Sequence, residues 1–245
     1  GHGGDVYAAA RELRRDLHQL LDFSASINPL GPSPAAVRIL RAAEALLGHY
    51  PDPACWELRQ GLAGYWHRPD EQFLIGNGST ELIHLLPRAL EIRHLLLIGP
   101  TFSEYAEAMT GSGGQVTMLM AERADGYRPP LELVLTALRT RRLPAGGVDP
   151  IDAVLLCNPN SPTGQACEAA AVRRLARLAA RQGLWCIVDE TFAEYANHAS
   201  ILSERLPART IVLRSFTKFY GLPGLRVGYA VAKPRVIARM AGQQP

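Results

Sequence analysis

Residues 215–228 read SFTKFYGLPGLRVG and follow a short apolar run, TIVLR at 210–214. Lys218 therefore stands where a strand ends, and a second apolar run opens at Arg226. Between them Pro223 and Gly224 leave no room for a helix, so the return predicts one antiparallel strand joining the sheet. A lysine at such a turn is either a solvated side chain or an amine meant for a covalent bond. Its neighbours have to decide between the two.

Outward from this segment, short apolar runs alternate with longer amphipathic ones, the pattern of an α/β chain with a largely parallel sheet. Strands are expected at 73–75, 95–98, 115–119, 153–156, 185–188, 210–213 and 226–231, giving seven. Helices are expected at 80–91, 102–109, 131–141, 168–182 and 200–205. Residues 1–45 precede the sheet, and DFSASINPLGPSP within them reads as an extended arm. The loop-rich stretches ERADGYRPP and LPAGGVDP are expected at the periphery.

The 245 residues are 47% hydrophobic and 20% charged, ordinary values for a globular chain with a sizeable core. A net charge of +3, with arginines scattered along helical segments, gives no basic tract for nucleic acid. Cys55, Cys157, Cys167 and Cys186 have no metal-ligand spacing and read as free thiols of a reducing cytoplasm. No apolar run approaches the roughly 18 residues of a membrane helix, and the start GHGGDVYAA has no signal pattern.

In an open α/β sheet, ligands bind outside the carboxyl ends of the strands. Five polar motifs fall there: GNGSTE, GPTFSEY, CNPNSPTG, DETF and RSFTK. GNGSTE either cradles a phosphate at a helix start or is a plain cap, with Ser79 or Thr80 reinforced by Glu81. Asp189 ends a fully apolar strand, where a carboxylate is costly without a cation. A protonated pyridine nitrogen would be such a cation, attracted by roughly 4 kcal/mol at about 4 Å and an effective dielectric near 20. The alternative is an aspartate that caps the next helix. An amine at Lys218, depressed by confinement and by a cation at Arg226, would suit a Schiff base. Arg226 could also clamp a phosphate. A phosphate cradle, a carboxylate, a lysine and an arginine together meet the needs of pyridoxal 5′-phosphate.

At this point the chain resembles the fold-type I pyridoxal-phosphate enzymes of the aminotransferase class I/II group. YPDP, GNGSTE, PTFSEY, NPNSPTG, DETF and SFTKFYGLPGLRVG carry the likeness in order across residues 50 to 228. Within the group, HGGDV, DFSASINPLGP and SFTKFYGLPGLRVGY resemble the threonine-phosphate decarboxylases of cobalamin biosynthesis, with histidinol-phosphate aminotransferases as near relatives. The resemblance implies a covalent cofactor bond at Lys218 and pairing of Asp189 with the pyridine nitrogen. It implies that Tyr105 stacks on the ring and that Gly78, Ser79, Thr80, Ser215 and Arg226 hold the phosphate. It also implies a homodimer in which Tyr50 reaches the cofactor of the other subunit. Read without the family, Tyr50 is a turn tyrosine and Tyr105 a core residue.

Two departures bear on the reaction. The group usually has a tyrosine three residues after the aspartate, where this chain has Phe192, as the decarboxylase branch does. Before PTG the usual asparagine is replaced by Ser161, with Asn160 beside it, and either could meet the cofactor's phenolic oxygen. His2, Gly3 and Ser26 are the implied substrate contacts, with Ser26 standing where the decarboxylase branch often has asparagine.

The resemblance implies decarboxylation of the small phosphorylated amino acid L-threonine O-3-phosphate. Its alternatives are a histidinol-phosphate-type transaminase and a cofactor-binding piece without turnover. Residues 1–45 would be an arm with part of a small domain, and 46–245 the cofactor-binding large domain. The family's C-terminal small domain, which carries arginines for the substrate, is expected to be absent from this chain.

Overall fold

The computed structural model describes residues 3–140 and 150–244; His2 and residues 141–149, with most of LPAGGVDP, lie outside the described residues. Helices α1 (Val6–Leu13), α2 (Pro34–Ala42) and α3 (Trp56–Trp66) precede β1 (Phe73–Asn77). Then come α4 (Gly78–Leu90), β2 (His94–Gly99), α5 (Glu104–Gly111), β3 (Gln115–Met120) and α6 (Leu131–Thr140). The remainder is β4 (Ala153–Cys157), α7 (Ala169–Arg181), β5 (Trp185–Asp189), β6 (Thr210–Ser215), β7 (Val227–Val231) and α8 (Pro234–Ala241).

The seven strands form one sheet in the order β1-β7-β6-β5-β4-β2-β3. The pairs among β2 to β6 are parallel, and β7 is antiparallel to both β6 and β1. Six strands thus share one direction and β7 alone opposes them, as the short return at 223–224 predicts. The last strand begins at Val227, one residue later than expected, because Arg226 adopts a left-handed conformation with φ 51°.

Side chains alternate across a strand, so residue parity assigns each to a face. Leu96, Ile98, Val154, Leu156, Cys186, Val188 and Val212 pack with α6 and α7. Leu95, Leu97, Leu155, Cys157, Ile187 and Leu213 pack with α4, α5 and α8. With both faces covered, the central strands are apolar throughout rather than alternating. Parity also places Asp189 with Ile187 on the α4–α5 face, and Arg214 with Val212 on the other.

The helix expected at 200–205 is not formed. Ser200 Oγ and the Ile201 N–H both donate to the buried Glu190 carboxylate, each at 2.7 Å, and Ile201 and Leu202 are buried. Those bonds hold the segment as a turn, and a tertiary acceptor overrides its local helical pattern. Glu190 also accepts from Arg214 Nη1 at 2.9 Å, while Arg214 Nη2 donates to Glu194 at 2.6 Å.

The arm reads as expected, with no helix or strand over 20–33. It docks on the lysine loop: the Asn28 N–H donates to the Lys218 carbonyl at 3.0 Å, and Asn28 Nδ2 to the Phe219 carbonyl at 2.8 Å. Among the described residues no helix is long and apolar enough to cross a membrane.

Removing one charge from a buried pair strands the other. Glu190→Gln is expected to destabilise the fold by about 3 kcal/mol, read as a lower urea midpoint with unchanged slope. An unchanged midpoint would refute this account of the 200–205 turn.

Candidate active site

A cavity of about 510 Å³ opens at the edge of the sheet where β1, β4, β5 and β6 end. Because β7 is reversed, its beginning lies at the same edge, with Val227 opposite Asn77 and Gly228 opposite Ser215. That geometry carries Arg226 into the cavity wall.

One end of the cavity is suited to an anion. Helix α4 starts directly after β1, and its cap residue Asn77 makes no side-chain cap bond. Glu81 accepts the Asn77 N–H. Ser79 and Thr80 lie inside the first turn and line the cavity, so they are not the caps. The first-turn N–H groups of a helix lack intrahelical acceptors and favour negative charge. The Arg226 guanidinium lies over Gly78, where an added Cβ would come within 2.6 Å of Nη2. Gly78 is therefore beneath the guanidinium rather than on the cavity wall, and its φ of +76° also favours glycine. A Cβ at Gly228 would lie 2.5 Å from the Ser79 nitrogen, so β7 and the start of α4 touch through backbone. Ser215 and Thr217 complete this end, with the Thr217 N–H donating to Ser215 Oγ at 3.1 Å.

Asp189 forms the floor and is 2% exposed. Its Oδ1 accepts the Thr191 N–H at 2.9 Å, and its Oδ2 accepts the Tyr105 phenol at 2.8 Å. Burial raises its pKa, against the hydrogen bonds from Thr191 and Tyr105 and the charge of Arg214, which lower it. Among the described residues it has no salt bridge, unlike its sequence neighbour Glu190. Lys218 lines the same cavity, and its pKa is lowered first by burial and then by Arg226, with Asp22 on the arm opposing.

The expected residues are not all placed as the resemblance implies. Tyr105 is 2% exposed, its ring sunk in an apolar socket of Ile83, Leu86, Met109, Leu155 and Ile187. It meets the cavity floor beside Asp189, to which its hydroxyl donates, and a ring buried this deeply is not set for stacking, which corrects that expectation. A half-buried aromatic at the wall is Phe102, set edge-on to Tyr105 with centroids 5.7 Å apart. Its signal was present in PTFSEY, one residue after Thr101. Of the pair left open, Ser161 lines the cavity. The Asn160 amide is committed to the Pro100 carbonyl and Thr163 Oγ1, at 2.9 and 2.8 Å, which takes it off this wall. Phe192, Gly3 and Ser26 line the cavity as well, whereas Tyr50 is fully exposed and lines none of it. A second cavity of about 590 Å³ adjoins the first, with Ser24, Ser26, Ser161, Pro162 and Phe192 common to both. Asn28 and Thr191, which hold the lysine loop and Asp189, were not singled out, because backbone hydrogen bonds leave no mark on residue pattern.

The family described as Aminotransferase class I and II matches residues 18–245. The chain belongs to this family. A threonine-phosphate decarboxylase of Salmonella typhimurium is 35% identical over 99% of this chain and 65% of its own length. A histidinol-phosphate aminotransferase of Moorella thermoacetica is 34% identical over 92% of this chain and 58% of its own length. The chain thus spans somewhat less than two thirds of these curated relatives. The solved histidinol-phosphate aminotransferase of Sinorhizobium meliloti, in complex with pyridoxal 5′-phosphate, shares the fold. Its TM-score is 0.77 at 23% identity, over 98% of this chain and 68% of that one.

Pyridoxal 5′-phosphate is the cofactor of this family, and the cavity fits it on its own evidence. A phosphate matches the unfilled start of α4 under Arg226. A protonated pyridine nitrogen matches the buried carboxylate of Asp189, and the aldehyde matches the Lys218 amine. Gly78→Ala is expected to displace Arg226 and weaken pyridoxal-phosphate binding about tenfold, the loss of one charge-assisted hydrogen bond. A fluorescence titration with unchanged Kd would show that Arg226 does not face the phosphate.

Proposed function

We propose that this chain carries the cofactor-binding part of a cytoplasmic enzyme of cobalamin biosynthesis. The reaction is decarboxylation of L-threonine O-3-phosphate to (R)-1-amino-2-propanol O-2-phosphate. The observation that carries the choice is Phe192, a ring without a hydroxyl at the cavity wall where the group's aminotransferases have a tyrosine. The Salmonella relative supports the same reading. For cytoplasmic residence the support is four unpaired cysteines.

When bound, pyridoxal 5′-phosphate supplies an electron sink for the pair released as the Cα–carboxylate bond breaks. The chain's own residues do the rest. Arg226, the start of α4 and the hydroxyls of Ser79, Thr80 and Ser215 bind the phosphate. Phe102 supports one face of the ring. Asp189 holds a positive charge at the pyridine nitrogen, where burial strengthens the attraction. Lys218, neutral more readily than a free lysine, attaches the cofactor. After CO₂ leaves, its Nζ returns a proton to Cα. The arm, with Gly3 and Ser26 at the cavity, covers the lysine loop and limits water there. Arginines for the substrate's anionic groups are expected from the small domain, in the third of the relatives' length that this chain does not span. Helices α1 and α2 bury no residue, which supports assigning residues 1–45 to that domain and the rest to the large one.

The 34% identity to the Moorella enzyme favours one second reading, transamination of a histidinol-phosphate type. Full-length protein given threonine phosphate is expected to release CO₂ and aminopropanol phosphate without keto acid, and Lys218→Ala is expected to abolish both product and the visible absorbance of bound cofactor. Keto acid as the product would instead select the transaminase.

We also propose a homodimer in which Tyr50 reaches the partner's cofactor. Tyr50 is fully exposed and lies outside the lining of its own cavity, and Leu21, Phe23, Leu30 and Leu47 of the same region are each more than four-fifths exposed. Mixing Lys218→Ala with Tyr50→Ala subunits is expected to restore one intact site per hybrid dimer, read as cofactor affinity above that of either variant. No gain on mixing would place Tyr50 outside the site.

A further inference from the structure

Tyr105 lies at the cavity floor yet has no part in the steps proposed above. Its ring is locked between α4 and the sheet, and its hydroxyl reaches Asp189 Oδ2 at 2.8 Å. The Thr191 N–H takes the other carboxylate oxygen at 2.9 Å. The Thr191 side chain is a further donor to the same carboxylate, whose two oxygens can accept two hydrogen bonds each. These donors together set the plane of the carboxylate and leave it capacity for a ligand.

We infer that Tyr105 is a positioning residue, which fixes Asp189 as an ionised, aimed acceptor for a cationic ring nitrogen. The inference rests on the reading of Asp189 as the partner of the pyridine nitrogen. The direction of the hydrogen bond follows from the surroundings. Burial and the adjoining Asp189 charge hold the Tyr105 phenol well above its usual range, so the phenol keeps its proton and donates it to the carboxylate. Burial and Asp189 push the Cys157 thiol up to about 12, and it remains neutral, with its S–H toward the Pro159 carbonyl at 3.3 Å. Neither neighbour adds negative charge to the floor.

The other charged groups are accounted for as well. Arg214 acts from β6 and favours the carboxylate, but its guanidinium is engaged by Glu190 and Glu194. Lys218 and Arg226 line the cavity, and Glu104 at its rim meets His84 at 2.7 Å. Thr191, through its side chain and its N–H, and Tyr105, through its phenol, are thus the donors in direct contact with Asp189, set against the burial that would neutralise it. Tyr105 is the one held by the packed core. Losing this donor leaves the carboxylate more basic and shifts the shared proton from the ring nitrogen toward Asp189.

Two measurements on full-length protein test this, each with Tyr105→Phe. Without cofactor, isotope-edited infrared titration of the aspartate carboxyls, assigned with Asp189→Asn, should show the Asp189 midpoint rising by about one pH unit. Loaded with nitrogen-labelled pyridoxal 5′-phosphate, the variant's ring-nitrogen NMR signal should move toward the unprotonated position. A fold stability measurement by itself would not separate these effects from lost packing. An unmoved carboxyl midpoint overturns the inference. A ring-nitrogen signal in wild type that ignores Asp189→Asn overturns the reading beneath it, while the cofactor-free titration still judges Tyr105. If Tyr105→Phe does not fold, fluorotyrosine at 105, a stronger donor of the same shape, should lower the midpoint, and no lowering overturns the inference.

Discussion

The reversed strand β7 is the constraint on which the site depends. It lies between β1 and β6 and runs against both, so it begins where they end. A parallel strand at that place would need a crossover and would begin at the far edge. The tight return instead delivers Arg226 to the start of α4 eight residues after Lys218. Gly78 and Gly228 make the close approach possible, because a Cβ at either would strike the guanidinium or the helix backbone. The anion-binding end is therefore a meeting of three backbones, with one guanidinium laid across it.

Two adjacent buried carboxylates divide the electrostatics of the protein. Glu190 is neutralised by Arg214 and by the turn at 200–201, and it serves the fold. Asp189 belongs to the opposite face and has hydrogen bonds but no salt bridge among the described residues. A carboxylate so placed is costly until a cation arrives, which is a cost suited to a binding site rather than to a core. The same burial that penalises Asp189 lowers the pKa of Lys218 in the same cavity, which favours the neutral amine.

The strands, four of the five expected helices and the single reversal were readable because apolar period, glycine and proline are local signals. The candidate residues after the strand ends were readable for the same reason, since a parallel sheet gathers those ends at one edge. The 200–205 segment was not, because its helical pattern is overruled by Glu190, an acceptor ten residues back in the chain. The depth of Tyr105 was not readable either, since Phe102 and Tyr105 are both aromatic residues near the start of one helix. Only the packing of α5 against α4 decides which ring is sunk and which stays at the wall.

By itself, then, the sequence determined the α/β class and the family, and it singled out as candidates the lysine, the aspartate and the arginine that the cavity brings together. Those follow from residue type and spacing along the chain. The tertiary structure decided that Ser79 and Thr80 leave the helix start open, that Ser161 rather than Asn160 meets the cavity, and that the Tyr105 hydroxyl serves Asp189. Each of these depends on the direction of a side chain or an N–H relative to a distant segment. Direction is fixed by packing, and linear order does not contain it.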